Sequence, residues 1–178
     1  MNFSAENVAH NLFFHEISFG GTLRCDFTWL NDNSDGPEWV LVEVEKPIMQ
    51  LFTKQNEPSK HLHHAIEQVK SWRRYFSENS AEKKRIFGAV AKFRYIIVAG
   101  DSQNWSHESA AKWRIDHNKS SEFEIRSSDV FLRSLKILEH KPEELWSFAE
   151  TPRTLLPSEL QQYWEEYGYM DLWRKILL

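Results

Sequence analysis

The stretch Trp39-Val40-Leu41-Val42-Glu43-Val44-Glu45-Lys46-Pro47 constrains this chain more than any other. It reads as a β-strand: bulky and β-branched apolar residues in series, stopped by a proline that cannot donate to a ladder. Alternate side chains of a strand share a face. Trp39, Leu41, Glu43 and Glu45 therefore point one way, and Val40, Val42, Val44 and Lys46 the other. Two carboxylates, about 6–7 Å apart by strand rise, project from the end of an otherwise apolar strand. They repel unless a positive charge lies beside them. A divalent cation is one remedy; a strand end that is simply wet is the other. The strand alone leaves both open.

The residues before it supply two partners. Phe13 to Phe19 reads as a strand ending at the turn pair Gly20-Gly21, and Leu23 to Leu30 as a second strand. In that second strand Leu23, Cys25, Phe27 and Trp29 form one face, and Arg24, Asp26, Thr28 and Leu30 the other. A polar turn, Asn31 to Pro37, leads into the third, so 13–46 is expected to be a three-stranded antiparallel meander. Cross-strand neighbours lie about 5 Å apart. A hairpin that sets Asp26 beside Glu43 would gather three carboxylates around one point; Asp26 on a solvated face is the alternative.

After a loop over 48–58, with Leu51-Phe52 tucked down, Pro58-Ser59 opens a helix. Ser59 is its N-cap, and Leu62, Ala65, Ile66, Val69, Trp72 and Phe76 recur at helical spacing. Beside this apolar face runs a stripe of His61, His64, Gln68, Ser71 and Tyr75, placed to look into a site formed with the sheet. Only His61 and His64 of the three nearby histidines share a face, and no cysteine is near, which argues against zinc. Residues 77–85 read as a polar connection whose Lys83-Lys84-Arg85, with Arg73 and Arg74, makes a basic region; its plainest reading is a solvated charge run.

Phe87 to Ala99 reads as a strand region closed by Gly100, with Phe93 to Ala99 apolar enough to lie centrally. A helix is expected over 106–118, a short strand over 122–126, and a helix capped by Ser127 or Ser128 through Leu138. The tail is helical. Pro142 starts a short helix, and Pro157-Ser158 a longer one with Ser158 and Gln161 at capping-box spacing. Leu160, Tyr163, Trp164, Tyr167, Met170, Trp173 and Leu177 line one face, which covers the chain's own core or a second copy. A short helix is also expected within residues 1–12.

With 178 residues the chain is long enough for one domain with a sizeable core. The division expected is 1–138 for the α/β domain and 139–178 for a helical extension. A net charge of −4 gives no bulk attraction to nucleic acid, so any such contact must come from local basic clusters. The single cysteine excludes an internal disulfide framework and fits a reducing compartment. There is no apolar run long enough for a membrane helix and no signal-peptide pattern, so the expected address is the cytoplasm.

Three strands, an acid on the second, Glu-x-Glu ending the third, then a helix bearing Gln: this order resembles the PD-(D/E)xK nuclease core. The block VLVEVEKP, LFTK, EPS and HHAIEQVKSWRRYF is similar to the nuclease domain of Shedu-type anti-phage defence proteins. KFRYIIVAG, Lys112-Trp113-Arg114 and Ser127 to Leu132 are similar to that family's later strand and helix start. The resemblance covers roughly 15–135.

The resemblance implies a restriction-endonuclease-like α/β fold, a central mixed sheet flanked by helices with a C-terminal helical extension. It also implies a Mg²⁺- or Mn²⁺-dependent DNA endonuclease. Asp26 and Glu43, with the Val44 carbonyl, match the metal ligands; Glu45 takes the slot usually held by lysine; Gln68 matches the helix glutamine, with His64 one turn before it. Lys46 faces away and cannot readily stand in for that lysine. The chain also has Asp101-Ser102-Gln103 where the family often has arginines. Arg73, Arg74, Lys83, Lys84 and Arg85 are the candidates for backbone contacts to DNA. A catalytically inactive nuclease-like fold that binds DNA or protein is the alternative, and a homo-oligomer is expected in either case.

Overall fold

In the computed structural model, which describes residues 13–31, 34–140 and 156–177, β1 (Phe13–Phe19), β2 (Leu23–Asn31) and β3 (Glu38–Val44) form the expected antiparallel meander. β4 (Lys92–Val98) then runs parallel to β3, and β5 (Phe123–Arg126) parallel to β4, giving a five-stranded mixed sheet in the order β1-β2-β3-β4-β5. Parallel neighbours require crossover connections. α1 (Lys60–Glu78) and α2 (Ser80–Phe87) supply the first, and α3 (Glu108–Ser120) the second. α4 (Asp129–His140), α5 (Pro157–Glu166) and α6 (Gly168–Leu177) follow. The fold is therefore α/β, a mixed sheet flanked by helices.

The alternation read in the third strand holds. Trp39 and Leu41 lie in the main core with Tyr95, Ile97 and Ile125, against the apolar face of α1. Val40, Val42 and Val98 form a smaller cluster on the other face. α1 begins where the sequence places it, with Ser59 Oγ accepting from the Leu62 amide at 3.3 Å, and its buried residues are the six expected. Leu51 is buried, and Phe52 packs edge-on against Trp105 and Trp113.

The alternation read in the second strand does not hold. Phe27 and Trp29 pack on the small-cluster face, but Leu23 and Cys25 join Leu30 in the main core. β1 changes face at the same level, since Phe14 and then Ile17 and Phe19 are all core residues. The switch occurs where Glu16 and Asp26 would face each other. Neither is paired in the β1–β2 ladder, and Glu16 has φ +54. A non-glycine residue in the left-handed region rotates the strand, as a bulge does, and carries the next side chain across the sheet. Glu16 is exposed and ion-paired with Arg24 at 3.3 Å.

Three other expectations need correction. The polar connection after α1 is largely helical: α2 occupies 80–87, and Phe87 is its last residue, so β4 begins only at Lys92. Gly88, at φ +68, ends α2 where the Trp164 side chain comes within 3.1 Å of any added Cβ, so the position requires both the freedom and the small size of glycine. The long C-terminal helix is two helices broken at Tyr167. Its cap is Leu156, whose amide donates to the Glu159 carboxylate at 2.6 Å, not a Ser158–Gln161 box. The short helices expected within 1–12 and at Pro142 lie outside the described residues.

The apolar face of the tail covers the chain's own core. Leu160, Trp164 and Met170 are buried in the main core. The Trp164 indole donates to the Ile86 carbonyl at 2.5 Å and meets Trp39 edge-on at 4.9 Å. Among the described residues no helix is long and apolar enough to cross a membrane.

Candidate functional site

Glu43 is the next-to-last residue of β3, opposite Ile97 of the central strand β4. Because Trp39 and Leu41 precede it on the core face, its carboxylate is carried inward and is only 8% exposed. α1 lies over this face, and Gln68 donates its side-chain amide to Glu43 Oε1 at 2.7 Å. Glu43 Oε2 is buried and, among the described residues, has no hydrogen-bond partner. Burial, then the nearby carboxylates of Asp26 and Glu45, push the Glu43 carboxyl up to about 8, against the smaller opposing effects of Gln68 and Arg24. At neutral pH this acid holds a proton unless a cation replaces it.

Asp26 reaches the same place by an unexpected route. The β2–β3 ladder runs to Phe27↔Val42 and stops. Where Cys25 would continue it, the Val44 amide donates instead to Asp26 Oδ2 at 2.7 Å. The Asp26 carboxylate thus fills the gap left as β2 changes face. Just past β3, the Glu45 amide donates to the Val98 carbonyl at 2.8 Å, which extends the β3–β4 pairing and fixes the backbone that carries Glu45. Cys25 lies beneath these acids. Burial, with Asp26 and Glu43, raises its thiol far above the usual range, so it stays a protonated, inert core residue.

The structure therefore brings Asp26, Glu43 and Gln68 together, with Glu45 near enough to act on Glu43. His64 is exposed on α1, one turn before Gln68. Among the described residues no three His, Cys, Asp or Glu side chains are gathered closely enough to hold an ion among themselves. The donor chemistry still suits a hard divalent cation: an orphaned, buried carboxylate oxygen beside a second carboxylate is what such an ion relieves.

The basic region divides. Arg73 and Lys83 line a groove of about 610 Å³ between α1, β4 and the α3–β5 turn, with Arg73 ion-paired to Glu122. Arg74 and Lys84 are exposed, and Arg85 is tied to Glu82 in its own helix. Lys92 and Arg94, which also line the groove, were not singled out from the sequence. The signal for them was the alternation of cation and aromatic in Lys92-Phe93-Arg94-Tyr95.

These features define an α/β domain with a buried acidic site at the carboxyl ends of its central strands, roofed by a helix glutamine. Residues 3–132 match the model of the family described as Shedu protein SduA, C-terminal. That span is well over half of the 178 residues, and the chain belongs to this family. No curated protein matches the chain.

Proposed function

We propose that this chain is a metal-dependent DNA endonuclease of the PD-(D/E)xK type acting in anti-phage defence. The observation that carries the reading is Glu43, a buried strand-end acid with one oxygen held by Gln68 and the other without a partner, next to Asp26. The order of elements supports it too: a meander, an acid on its second strand, Glu-x-Glu at the end of its third, then a helix whose glutamine reaches back to the first of those glutamates. Membership of the Shedu SduA C-terminal family supports the defence role.

In this reading Asp26, Glu43 and the Val44 carbonyl would hold Mg²⁺ or Mn²⁺. A bound ion would lower the pKa of a water and neutralise charge on the scissile phosphate. Glu45 orients or deprotonates the attacking water. Gln68, already fixed on Glu43, has its remaining hydrogen-bonding capacity for that water or a phosphate oxygen, and His64 borders the same side of α1. Arg73, Arg74, Lys83, Lys84 and Arg85 contribute backbone contacts that position DNA without reading its sequence. The protein acts in the cytoplasm as a homo-oligomer.

Purified protein with Mg²⁺ or Mn²⁺ should convert supercoiled plasmid to nicked or linear forms, and Asp26→Asn and Glu43→Gln should each stop it. Intact plasmid and phage DNA, together with no binding of either metal, would sink the hydrolase reading. Cutting that survives Glu43→Ala would place the chemistry elsewhere.

A further inference from the structure

The groove that Arg73 and Lys83 line is separate from the acid site. Glu43 is opposite Ile97, and Phe93 in the groove lies four residues earlier on β4, about 13 Å away by strand rise. Its volume, about 610 Å³, falls in the range of small-ligand sites. It has room for a nucleotide or a segment of single strand.

Its lining is both cationic and aromatic. The floor is the half-buried Phe93, stacked on Phe76 at 5.2 Å and tilted against Tyr95 at 5.8 Å. Four cations line the groove, Arg73, Lys83, Lys92 and Arg94, against two carboxylates, Glu122 and Glu124; Lys92 and Arg94 alternate with Phe93 along β4 and leave the strand on its other face. The groove is therefore net positive in a chain whose net charge is −4. Three of the four cations have carboxylate partners: Arg73 with Glu122, Lys92 with Glu38 at 3.2 Å, and Arg94 with Glu124 at 2.7 Å. Lys83 is half-buried and, among the described residues, has no carboxylate partner. An aromatic floor beside one unmatched cation suits a ligand that is itself planar at one end and anionic at the other.

We infer that this groove binds a nucleotide unit, with its base against Phe93 and its phosphate at Lys83, beside Arg73. A free nucleotide and a nucleotide within a single strand share this chemistry. The inference rests on the groove alone, so it stands or falls independently of hydrolysis at Glu43.

The test uses the full chain in EDTA, so that no cutting intervenes, with fluorescence anisotropy of a labelled oligo(dT). Competitors are dTMP, a duplex of equal length and inorganic phosphate. The oligonucleotide should bind, and unlabelled single strand should displace it at least ~10-fold better than duplex. If dTMP displaces it comparably per site, the ligand is a free nucleotide; if only the strand does, it is unpaired DNA. Lys83→Ala should weaken binding and lower the salt slope by about one, while Lys60→Ala, at an exposed lysine on the far end of α1, should leave both unchanged. Lys83→Ala strands no carboxylate, so a loss of binding would not be a loss of fold; coincident melting curves check this. Unchanged binding in Lys83→Ala would overturn the inference, as would duplex competing equally or inorganic phosphate displacing as well as dTMP.

Discussion

Gln68 holds one oxygen of Glu43 at 2.7 Å and leaves the other buried with no partner. Strand and helix, 25 positions apart in sequence, thus meet at one carboxylate. An amide is a weak answer to a buried carboxylate, because it lowers the pKa without supplying charge. Burial and the two neighbouring acids win, and Glu43 sits at about 8.

That value sets a pH dependence of stability. The unfolded Glu43 loses its proton near 4.5 and the folded one only near 8. Between those values the folded state binds more protons, so its stability falls as pH rises, being fully retained below about 4.5 and most eroded above about 8. Glu43→Gln removes this contribution. Urea melts should show the variant more stable than the parent by about 1–3 kcal/mol at pH 8 and nearly equal at pH 5. Parallel stability profiles across that window would mean that Glu43 is not raised.

Cation binding should expel the same proton. Calorimetric titration of Mn²⁺ near pH 7 in two buffers of different ionisation heat should report release of close to one proton per ion, and none in Glu43→Gln. Heat that does not depend on the buffer would detach metal binding from this carboxyl.

Replacing Gln68 by Ala removes a bond to the acid. Loss of a charge-assisted hydrogen bond costs roughly 1–3 kcal/mol above pH 8, where Glu43 is ionised, and less at pH 6. The Glu43 pKa should also move further up, since Gln68 is among the groups lowering it. A carboxyl-specific NMR titration reads that shift, and a merely structural role for Gln68 would not produce it.

The tail should be inseparable from the core. Trp164 is fully buried between Phe14 and Trp39, and its indole bonds the Ile86 carbonyl. Trp164→Ala should cost about 3–5 kcal/mol. It should lower a single unfolding transition; a separate early step confined to 156–177 would show the two helices to be an independent unit.

Part of the acid site was legible in the chain because it depends on local geometry. The inward direction of Glu43 follows from strand parity with Trp39 and Leu41, and the approach of Gln68 from its place beside the apolar stripe of α1. Asp26 was identified from a hairpin that could set it beside Glu43, in a strand whose expected alternation β2 does not keep. It still arrives near Glu43, because the change of face frees the Val44 amide to receive it. Glu16 is an ordinary exposed glutamate with nothing in its side chain to mark a left-handed turn. The helix α2 escaped notice because Ser80 to Arg85 carries little apolar periodicity. Only Ile86 and Phe87 anchor it, and Phe87 was read as strand.

The sequence by itself determined the periods: which face of β3 and of α1 turns inward, and which acids and amides travel with those faces. Side-chain direction repeats every two residues in a strand and about every 3.6 in a helix, so a local pattern suffices. The tertiary structure alone decided where β1 and β2 change face, which oxygen of Glu43 is left without a partner, and that four cations share one groove. Those facts are distances between residues remote in the chain, and they exist only once the helices have packed against the sheet.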